Sequence, residues 1–385
     1  MQPTLFTNDS PGKLVRIPEP QPRGHWAFVP NPLPSQLALE NETIKLLSSA
    51  CLELGRLDRE GVRLKNPHLL IGPFLRREAL LSSQMEGTIA TAQQLLLFEV
   101  GTEPETPDVQ EVHNYITAMR HGLDRLGKLP MCLRLICELH VELMKEVRGE
   151  EHRPGEFRNG QNAIGKKGQA IDEARFVPPP VLEMRKTLND LEKFLNTAND
   201  LTPLVELALV HYQFETIHPF RDGNGRIGRL LIPLMMCQKN LLSKPLLYLS
   251  AYFEKNRNRY NDLLFNVSAK GDWLAWVNFF LKAVVEQATD AVKRADKLLS
   301  LNQQYRDRFH KRSSALLLKL IDGLFAYPAV AVPEAKKKLK VSFVSAQNNI
   351  DKLVKAGILR EVTGRQRNRI YVAEEIVRLI EAPSV

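Results

Sequence analysis

The sequence predicts a mainly α-helical protein with an irregular β-hairpin in its middle and a winged helix-turn-helix at its C-terminal end. Apolar residues recur at helical spacing from about residue 35 onward. Glycines, a proline triplet and short alternating stretches interrupt this pattern over residues 153–180. A basic final segment has the rhythm of three helices followed by two strands. With 385 residues, the chain is long enough for two or three domains.

The composition is typical of a soluble globular protein, with 44% hydrophobic and 25% charged residues. The sequence contains no uncharged apolar run of about 18 residues, and its start lacks the apolar core of a signal peptide. Its four cysteines (Cys51, Cys132, Cys137 and Cys237) show no CxxC spacing, which favours reduced thiols over disulfides or a zinc site. We therefore expect a cytoplasmic protein without a membrane partner.

The net charge of +9 is concentrated near the C-terminus. Residues 311–385 contain 14 Lys and Arg against 7 Asp and Glu, whereas the other 310 residues contain 39 against 37. The basic excess therefore belongs to the C-terminal segment and says little about chemistry elsewhere.

Four regions follow from these patterns. The proline-rich start predicts an extended arm without regular structure, which Trp26 and Phe28 pin to the body. Ser35 is the expected N-cap of the first helix. A charged connector at about 302–314 is expected before the basic unit. The predicted regions are an arm at 1–34, an N-terminal helical region at 35–110, a helical core at 111–299 and the winged helix-turn-helix at 311–385.

The interruption at 153–180 predicts the hairpin. Residues 162–164 and 175–177 are the expected strands, and turn chemistry at 165–168 lies between them.

The most informative stretch is HPFRDGNGRIGR, residues 218–229, which precedes an apolar run. It holds three glycines and three arginines among its twelve residues, a composition that local helix stability does not explain. The backbone N–H groups of a glycine-rich helix start lack intrahelical partners, so they form an anion site. Gly223 and Gly225 allow close approach of a ligand, and Arg226 and Arg229 share one helix face and can clamp a polyphosphate.

Three further residues complete this predicted site. Asp222 is placed to hold Mg²⁺ against phosphate oxygens. His218 is suited to act as a general base, and Phe220 is expected to pack inward and fix the loop. Each feature alone is more often structural, but their fixed order within twelve residues favours function. A Walker A loop is excluded because no GK[ST] follows, and HExxH is absent.

These residues resemble the signature of the Fic (Fido) family, HxFx[DE]GNGRxxR, at every specified position. The stretches FVPNPLP, EFRNGQNAIG with FVPPP, and LLSKPLLYLSAYFEKNRNRYNDLL also resemble segments of bacterial members. The resemblance implies transfer of AMP from ATP onto a Ser, Thr or Tyr hydroxyl of a target protein, and onto the chain itself.

In the roles that the resemblance implies, His218 takes the hydroxyl proton and Asp222 ligates Mg²⁺. Asn224 orients the α-phosphate, while Arg226 and Arg229 hold the β- and γ-phosphates. Gly225, where kinase-like relatives carry lysine, favours nucleotidyl over phosphoryl transfer. The full set of expected ATP contacts is Phe220, Asp222, Gly223, Asn224, Gly225, Arg226, Ile227, Gly228 and Arg229, with Asn256 and Tyr260 as candidates near the adenine.

A second motif, Ser82, Glu86 and Gly87, resembles the family's inhibitory pattern [ST]xxxE[GN]. The resemblance implies that Glu86 pairs with Arg229 and denies it to the γ-phosphate. It also allows Glu86 to position a water for removal of AMP.

Partners and alternatives remain open on the sequence alone. The flap at 155–177 is expected to dock a target segment through main-chain bonds. Within the basic unit, Ser345–Leu353 is the expected recognition helix and Thr363–Arg369 the wing, which suits DNA and equally a protein contact. A nucleotide-sensing transcription regulator and transfer of another phosphate-containing group are the competing functions. Members of this family often self-associate, and no motif here fixes an oligomeric state.

Overall fold

A computed structural model describes residues 1–18, 24–63, 66–101, 106–147, 153–165, 168–309 and 315–382. The chain forms two compact units. Unit 1 comprises Met1–Leu54, Thr117–Leu241 and Tyr252–Glu286. Unit 2 comprises Gly55–Ile116, Leu242–Ala251 and Gln287–Val385. The predicted fold class is confirmed, because helices predominate and the sheets are small and antiparallel.

Unit 1 begins with a β-hairpin where the sequence predicted an extended arm. Strands β1 (Gly12–Ile17) and β2 (His25–Pro30) pair antiparallel, with Gly12 opposite Pro30. The prediction of no regular structure was wrong because the prolines flank the alternating strand stretches rather than interrupt them. The expected anchoring by Phe28 is confirmed, since its side chain is fully buried.

The hairpin packs onto the predicted flap. The Phe28 N–H donates to the Val177 carbonyl at 2.9 Å, and Phe28 and Phe176 share an apolar cluster. Within the flap, Ile164 and Phe176 exchange both backbone hydrogen bonds, at 2.8 and 3.1 Å, as a single antiparallel bridge. A 3₁₀ turn occupies Ile171–Glu173. The flap is therefore irregular, as predicted, and the centre of its predicted turn (166–167) lies outside the described residues.

Two helices of unit 1, α7 (Pro203–Ile217) and α8 (Asn224–Gln238), lie against each other at its centre. The predicted start of the first helix at Ser35 was wrong: the helix begins at Asn41, and the Ser35 carbonyl accepts a bond from the Asp200 N–H at 3.0 Å. Helices α7 and α8 are almost entirely buried, which explains their long apolar runs. Apart from a short helix that is described with unit 2, the helices wholly or partly in unit 1 are α1 (Asn41–Arg63), α4 (Pro107–Leu126), α5 (Leu133–Leu143), α6 (Val181–Leu195), α7 (Pro203–Ile217), α8 (Asn224–Gln238), α10 (Arg257–Lys270) and α11 (Trp273–Asp307).

Unit 2 contains α2 (His68–Met85), α3 (Ala92–Glu99) and the residues that follow the middle of α11. The short helix α9 (Ser250–Lys255) starts in unit 2 and ends in unit 1. Helix α11 continues to Asp307, so the predicted connector was wrong at 302–307. Burial of Leu298, Leu301 and Tyr305, at helical spacing, explains the extension.

The C-terminal module, defined here as residues 315–382, follows the predicted order of helices and strands. Beyond the prediction it has a strand before its second helix and a final helix. The sheet order is β3-β5-β4, and its buried residues pack with Leu96 of α3. The elements are α12 (Ala315–Ala326), β3 (Ala329–Ala331), α13 (Val332–Leu339), α14 (Phe343–Lys355), β4 (Arg360–Glu361), β5 (Ile370–Val372) and α15 (Glu374–Glu381). Its identity as a winged helix remains a prediction.

Candidate active site

The motif lies in the loop between α7 and α8, and left-handed residues mark both ends of that loop. His218 ends α7 at φ 50° and ψ 61°, and its N–H donates to the Phe214 carbonyl at 3.0 Å. Gly223 precedes α8 at φ 75°, a conformation that favours glycine. A side chain at 223 would also meet Met144 and Leu143. The loop therefore leads directly into the first turn of α8, whose backbone N–H groups lack intrahelical partners.

The His218 ring is held in one tautomer. Its Nδ1 lies 3.2 Å from the Glu215 carbonyl oxygen. A carbonyl only accepts, so Nδ1 carries the hydrogen and Nε2 carries the lone pair. In this tautomer Nε2 is the ring nitrogen that can act as a general base.

Asn224 holds the loop backbone. Its Oδ1 accepts from the Phe220 N–H at 2.8 Å, and its Nδ2 donates to the Phe220 carbonyl at 2.8 Å. Asn162 donates to the same carbonyl at 2.7 Å. Both amides thus fix Phe220, which is fully buried, as predicted. The expected role of Asn224 on the α-phosphate stays a prediction.

Arg158 braces the loop from the flap side, and the sequence analysis did not assign it. It is buried, and its guanidinium donates to the carbonyls of His218 at 2.9 Å, Gly160 at 2.9 Å and Pro179 at 2.6 Å. Burial lowers its pKa to about 10, helped by the nearby charge of Arg221. A buried cation that bonds backbone carbonyls fixes the backbone directly. The stretch EFRNGQN, which the sequence analysis assigns only to the flap, contains this arginine and was the sequence signal that could have identified it.

His140 supports the loop from α5, and it was also missed. Its ring stacks on Phe220 with centroids 3.8 Å apart and planes 4° from parallel. The Gly155 N–H donates to its Nδ1 at 2.8 Å, so the ring's hydrogen is on Nε2, which donates to the Asp222 carbonyl at 3.1 Å. Burial lowers its pKa to about 4, which keeps the ring neutral at pH 7.

The charged motif residues differ in exposure. The Asp222 side chain is 47% exposed; its Oδ1 accepts from the Gly223 N–H at 2.6 Å and lies 3.8 Å from Arg226 Nη2. Arg226 and Arg229 are buried, where a charge acts more strongly than in water. A metal ion could use the exposed part of the carboxylate.

The described residues contain no group of three or more His, Cys, Asp and Glu that could hold a metal. A single carboxylate suits Mg²⁺, which keeps waters and takes phosphate oxygens as its other ligands. Asp222 therefore fits a Mg²⁺ that arrives with a polyphosphate.

The remaining predicted nucleotide contacts fall into two groups. Gly225 lies in the first turn of α8, where backbone N–H groups face the loop. The Ile227 side chain is fully buried, and a Cβ on Gly228 would lie 2.2 Å from Glu215 Oε1. Ile227 and Gly228 therefore contribute to the packing of α8, and their contact with the nucleotide stays a prediction.

The two adenine candidates lie at the start of α10. Tyr260 is buried and its hydroxyl lies 2.8 Å from His211 Nε2, while Asn256 donates to the Tyr252 carbonyl at 2.9 Å. His211 Nδ1 lies 3.1 Å from the Gly228 carbonyl, so this network reaches the motif helix. Their contact with adenine stays a prediction.

The second motif belongs to unit 2. Ser82 is buried in the last turn of α2, and Glu86 follows the helix end at φ −94°. Gly87 has φ 88°, so it supplies the left-handed residue that commonly ends a helix. The predicted pairing of Glu86 with Arg229 stays a prediction.

Comparison with known proteins identifies the family. Residues 44–124 match the model of the Fic/DOC family N-terminal region, and residues 130–236 match that of the Fic/DOC family. The chain belongs to the Fic family. This confirms the resemblance on which the site assignments rest.

Two curated relatives are similar to parts of this Fic chain. A protein adenylyltransferase Fic of Drosophila grimshawi is 31% identical over 39% of this chain and 30% of its own length. One of Drosophila yakuba is 28% identical over 50% of this chain and 36% of its own length. The chain thus spans about a third of the length of the curated relatives it matches.

The solved structures show the fold. A Fic family protein from Desulfovibrio desulfuricans has a TM-score of 0.56 at 19% identity, covering 88% of this chain and 97% of that one. A Fic domain containing signaling protein from Bacteroides thetaiotaomicron has a TM-score of 0.51 at 21% identity, covering 67% and 97%. In the described part of this chain, no helix is long and apolar enough to cross a membrane.

Proposed function

We propose that this Fic protein transfers AMP from ATP to a Ser, Thr or Tyr hydroxyl of a target protein. The observation that carries the proposal is the hydrogen bond between His218 Nδ1 and the Glu215 carbonyl, because in the neutral ring it leaves Nε2 to accept a proton, at a residue that shortly precedes α8 in the chain. A helix start that can bind phosphate, preceded in the chain by a histidine that can act as a base, suits attack of a hydroxyl on a bound phosphate. Curated relatives named protein adenylyltransferase support AMP as the transferred group.

The roles of the other residues follow from charge and position. His218 Nε2 takes the proton of the attacking hydroxyl, whose oxygen forms the bond to the α-phosphorus as diphosphate leaves. The N–H groups of α8, with Arg226 and Arg229, hold the phosphates and neutralise developing charge. Asp222 would hold Mg²⁺, which would supply positive charge to neutralise the phosphates. The braces on Phe220 and Asp222 keep these groups in position before ATP binds.

The flap is the proposed docking site for the target. Ala163 and Gly165 flank the Ile164 bridge and are exposed, whereas Phe176 on the other side is buried. This asymmetry leaves the 162–165 side available for main-chain pairing with an extended segment.

Self-restraint by Glu86 is part of the proposal. Pairing of Glu86 with Arg229 would occupy the arginine that holds the γ-phosphate, so basal transfer would be low. The family relationship and the motif at the end of α2 support this role. Water-assisted removal of AMP from modified protein would use the same glutamate.

Labelled ATP tests the function and the restraint together. Wild type, Glu86→Gly, and Glu86→Gly with His218→Ala are each incubated with Mg²⁺ and ATP labelled at the α-phosphate. We expect Glu86→Gly to label protein at least about 10-fold faster than wild type, because one ion pair of about 1.4 kcal/mol is removed. Adding His218→Ala should abolish labelling.

Parallel reactions with γ-labelled ATP identify the transferred group. Label moving from the γ position would mean phosphoryl transfer and would overturn the proposal. No transfer of either label, with ATP still bound, would favour the nucleotide-sensing regulator. Equal rates for wild type and Glu86→Gly would contradict the restraint by Glu86 and would leave the proposed AMP transfer unaffected.

A further inference from the structure

The C-terminal module carries a strongly basic turn between β4 and β5. Residues 362–373 contain no Asp or Glu, whereas Arg365, Arg367 and Arg369 all lie there and are exposed. Across residues 315–382 the sequence has 12 Lys and Arg against 7 Asp and Glu. The turn thus carries three of these cations with no carboxylate among its own residues.

The turn is held in a defined shape by its own side chains. Glu361 accepts from the N–H groups of Thr363 at 2.8 Å and Gly364 at 3.0 Å, and from the Thr363 hydroxyl. Arg369 Nε donates to the Arg365 carbonyl at 2.9 Å, and the Val362 N–H donates to the Ile370 carbonyl at 3.1 Å. A turn that is ordered in advance loses less entropy on binding.

Helix α14 presents a matching exposed face. Val344, Asn348, Lys352 and Lys355 follow one another at helical spacing and are all exposed. The opposite face, with Ala346, Ile350 and Leu353, is buried. Asp351 lies beside the exposed face and accepts from Gln347 at 2.8 Å. The Gln347 amide is also 3.5 Å from the Tyr371 hydroxyl, so α14 lies next to β5, from which the turn projects.

We propose that the exposed face of α14 and the β4–β5 turn form a binding surface for duplex DNA. The helix supplies the groups that read base edges in a major groove: an amide that can bond adenine, methyls that contact thymine and two lysines for phosphates. The turn supplies arginines, which suit a narrow minor groove or the phosphate backbone. Protein-binding surfaces are depleted in lysine, which favours DNA over an acidic protein. This inference does not depend on AMP transfer.

Binding by the full chain to a fluorescein-labelled 30-base-pair duplex tests the surface. The key variant replaces Arg365, Arg367 and Arg369 with Gln, which removes three charges from exposed positions. The matched control replaces the exposed Arg185, Lys186 and Lys193 of α6 with Gln. We expect the turn variant to bind about 10- to 100-fold more weakly, with a salt slope smaller by about 2 to 3, because phosphate contacts release counterions. The control should change affinity less than about twofold.

Three results would overturn the proposal. The first is no anisotropy change with wild type at 50 mM salt and micromolar protein. The second is equal weakening by the turn variant and the α6 control. The third is competition by polyglutamate as strong as that by unlabelled duplex, which would identify an acidic-protein surface instead. Equal thermal unfolding midpoints of the variants would exclude loss of fold as the cause of weaker binding.

Discussion

Arg158 in unit 1 and Arg76 in unit 2 are both buried, yet they bond to different kinds of partner. Arg158 donates to the carbonyls of His218, Gly160 and Pro179. Arg76 pairs with the Glu99 carboxylate at 2.8 Å, donates to the Ala326 carbonyl at 2.6 Å and lies over the Tyr327 ring. Arg158 fixes the backbone of the motif loop. Arg76 instead connects α2 to the Glu99 side chain of α3 and to the carbonyl at the end of α12.

The difference shows how each region achieves rigidity. The motif loop is shaped by side chains that bond its backbone, and no substitution can remove a carbonyl group. The packing of α2 includes an ion pair, between Arg76 and Glu99, and both of its members can be replaced. Buried ion pairs can often be exchanged for apolar residues at little cost, whereas breaking one member is expensive. We therefore expect replacement of either arginine alone to be harmful. A second substitution should restore the loss only in unit 2, where the partner of Arg76 is a side chain that can also be replaced.

The largest effect is expected for Arg158→Met. In the Glu86→Gly background it should lower AMP transfer by about 100- to 1,000-fold, because the carbonyl of His218 loses its donor and the base moves. Incorporation of α-label into protein measures the loss. Arg185→Met, at an exposed position of the same unit, serves as the control. Activity within about threefold of the parent would show that Arg158 does not position the loop.

Arg76→Met should have the next largest effect. It leaves buried Glu99 without its ion-pair partner, so we expect unit 2 to lose about 3 kcal/mol of stability. Adding Glu99→Leu should recover at least half of the loss, as measured by urea unfolding. Failure of the double variant to recover would contradict the comparison.

The same variant has a consequence for the proposed restraint. Arg76 lies in α2, the helix that ends at Glu86, and Gly72 of α2 lies so close to α12 that a Cβ would be 2.6 Å from the Ala326 carbonyl oxygen. Loosening the packing of α2 against α12 should raise basal AMP transfer, and Glu86→Gly serves as the positive control. If Glu86→Gly raises transfer and Arg76→Met does not, the packing of α2 against α12 does not control the restraint by Glu86.

The smallest effect concerns His211, another side chain that bonds backbone in unit 1. Burial lowers its pKa to about 3, so the folded ring stays neutral. The unfolded histidine has a pKa of about 6.5. Its contribution to stability is therefore complete above pH 6.5 and decreases as the pH falls toward 3. From pH 7 to pH 5 the loss should be about 2 kcal/mol.

Free energies of unfolding at the two pH values test this expectation. His211→Gln should be less stable at pH 7, because it loses the bonds to Gly228 and Tyr260, but it should lose about 2 kcal/mol less on acidification. Identical acid sensitivity of the variant and wild type would show that His211 is not kept neutral by burial.

The sequence by itself determined the motif, the helices on either side of it and the basic C-terminal segment. These features are local: HPFRDGNGRIGR predicts a glycine-rich helix start, and the apolar runs of α7 and α8 predict buried helices. The inward packing of Phe220 and the order of elements after residue 315 followed from the same local patterns. A local pattern needs only neighbouring residues, so one sequence suffices to find it.

Tertiary structure decided what holds that loop in place. Arg158 meets His218 across 60 residues of chain, and His140 meets the backbone of Asp222 across 82. Tertiary contacts also decided the N-terminal hairpin, whose β2 bonds the flap at Val177, and the late start of α1, where Ser35 bonds Asp200. None of these partners leaves a periodic signal, because each bond joins residues that only the packed helices bring together.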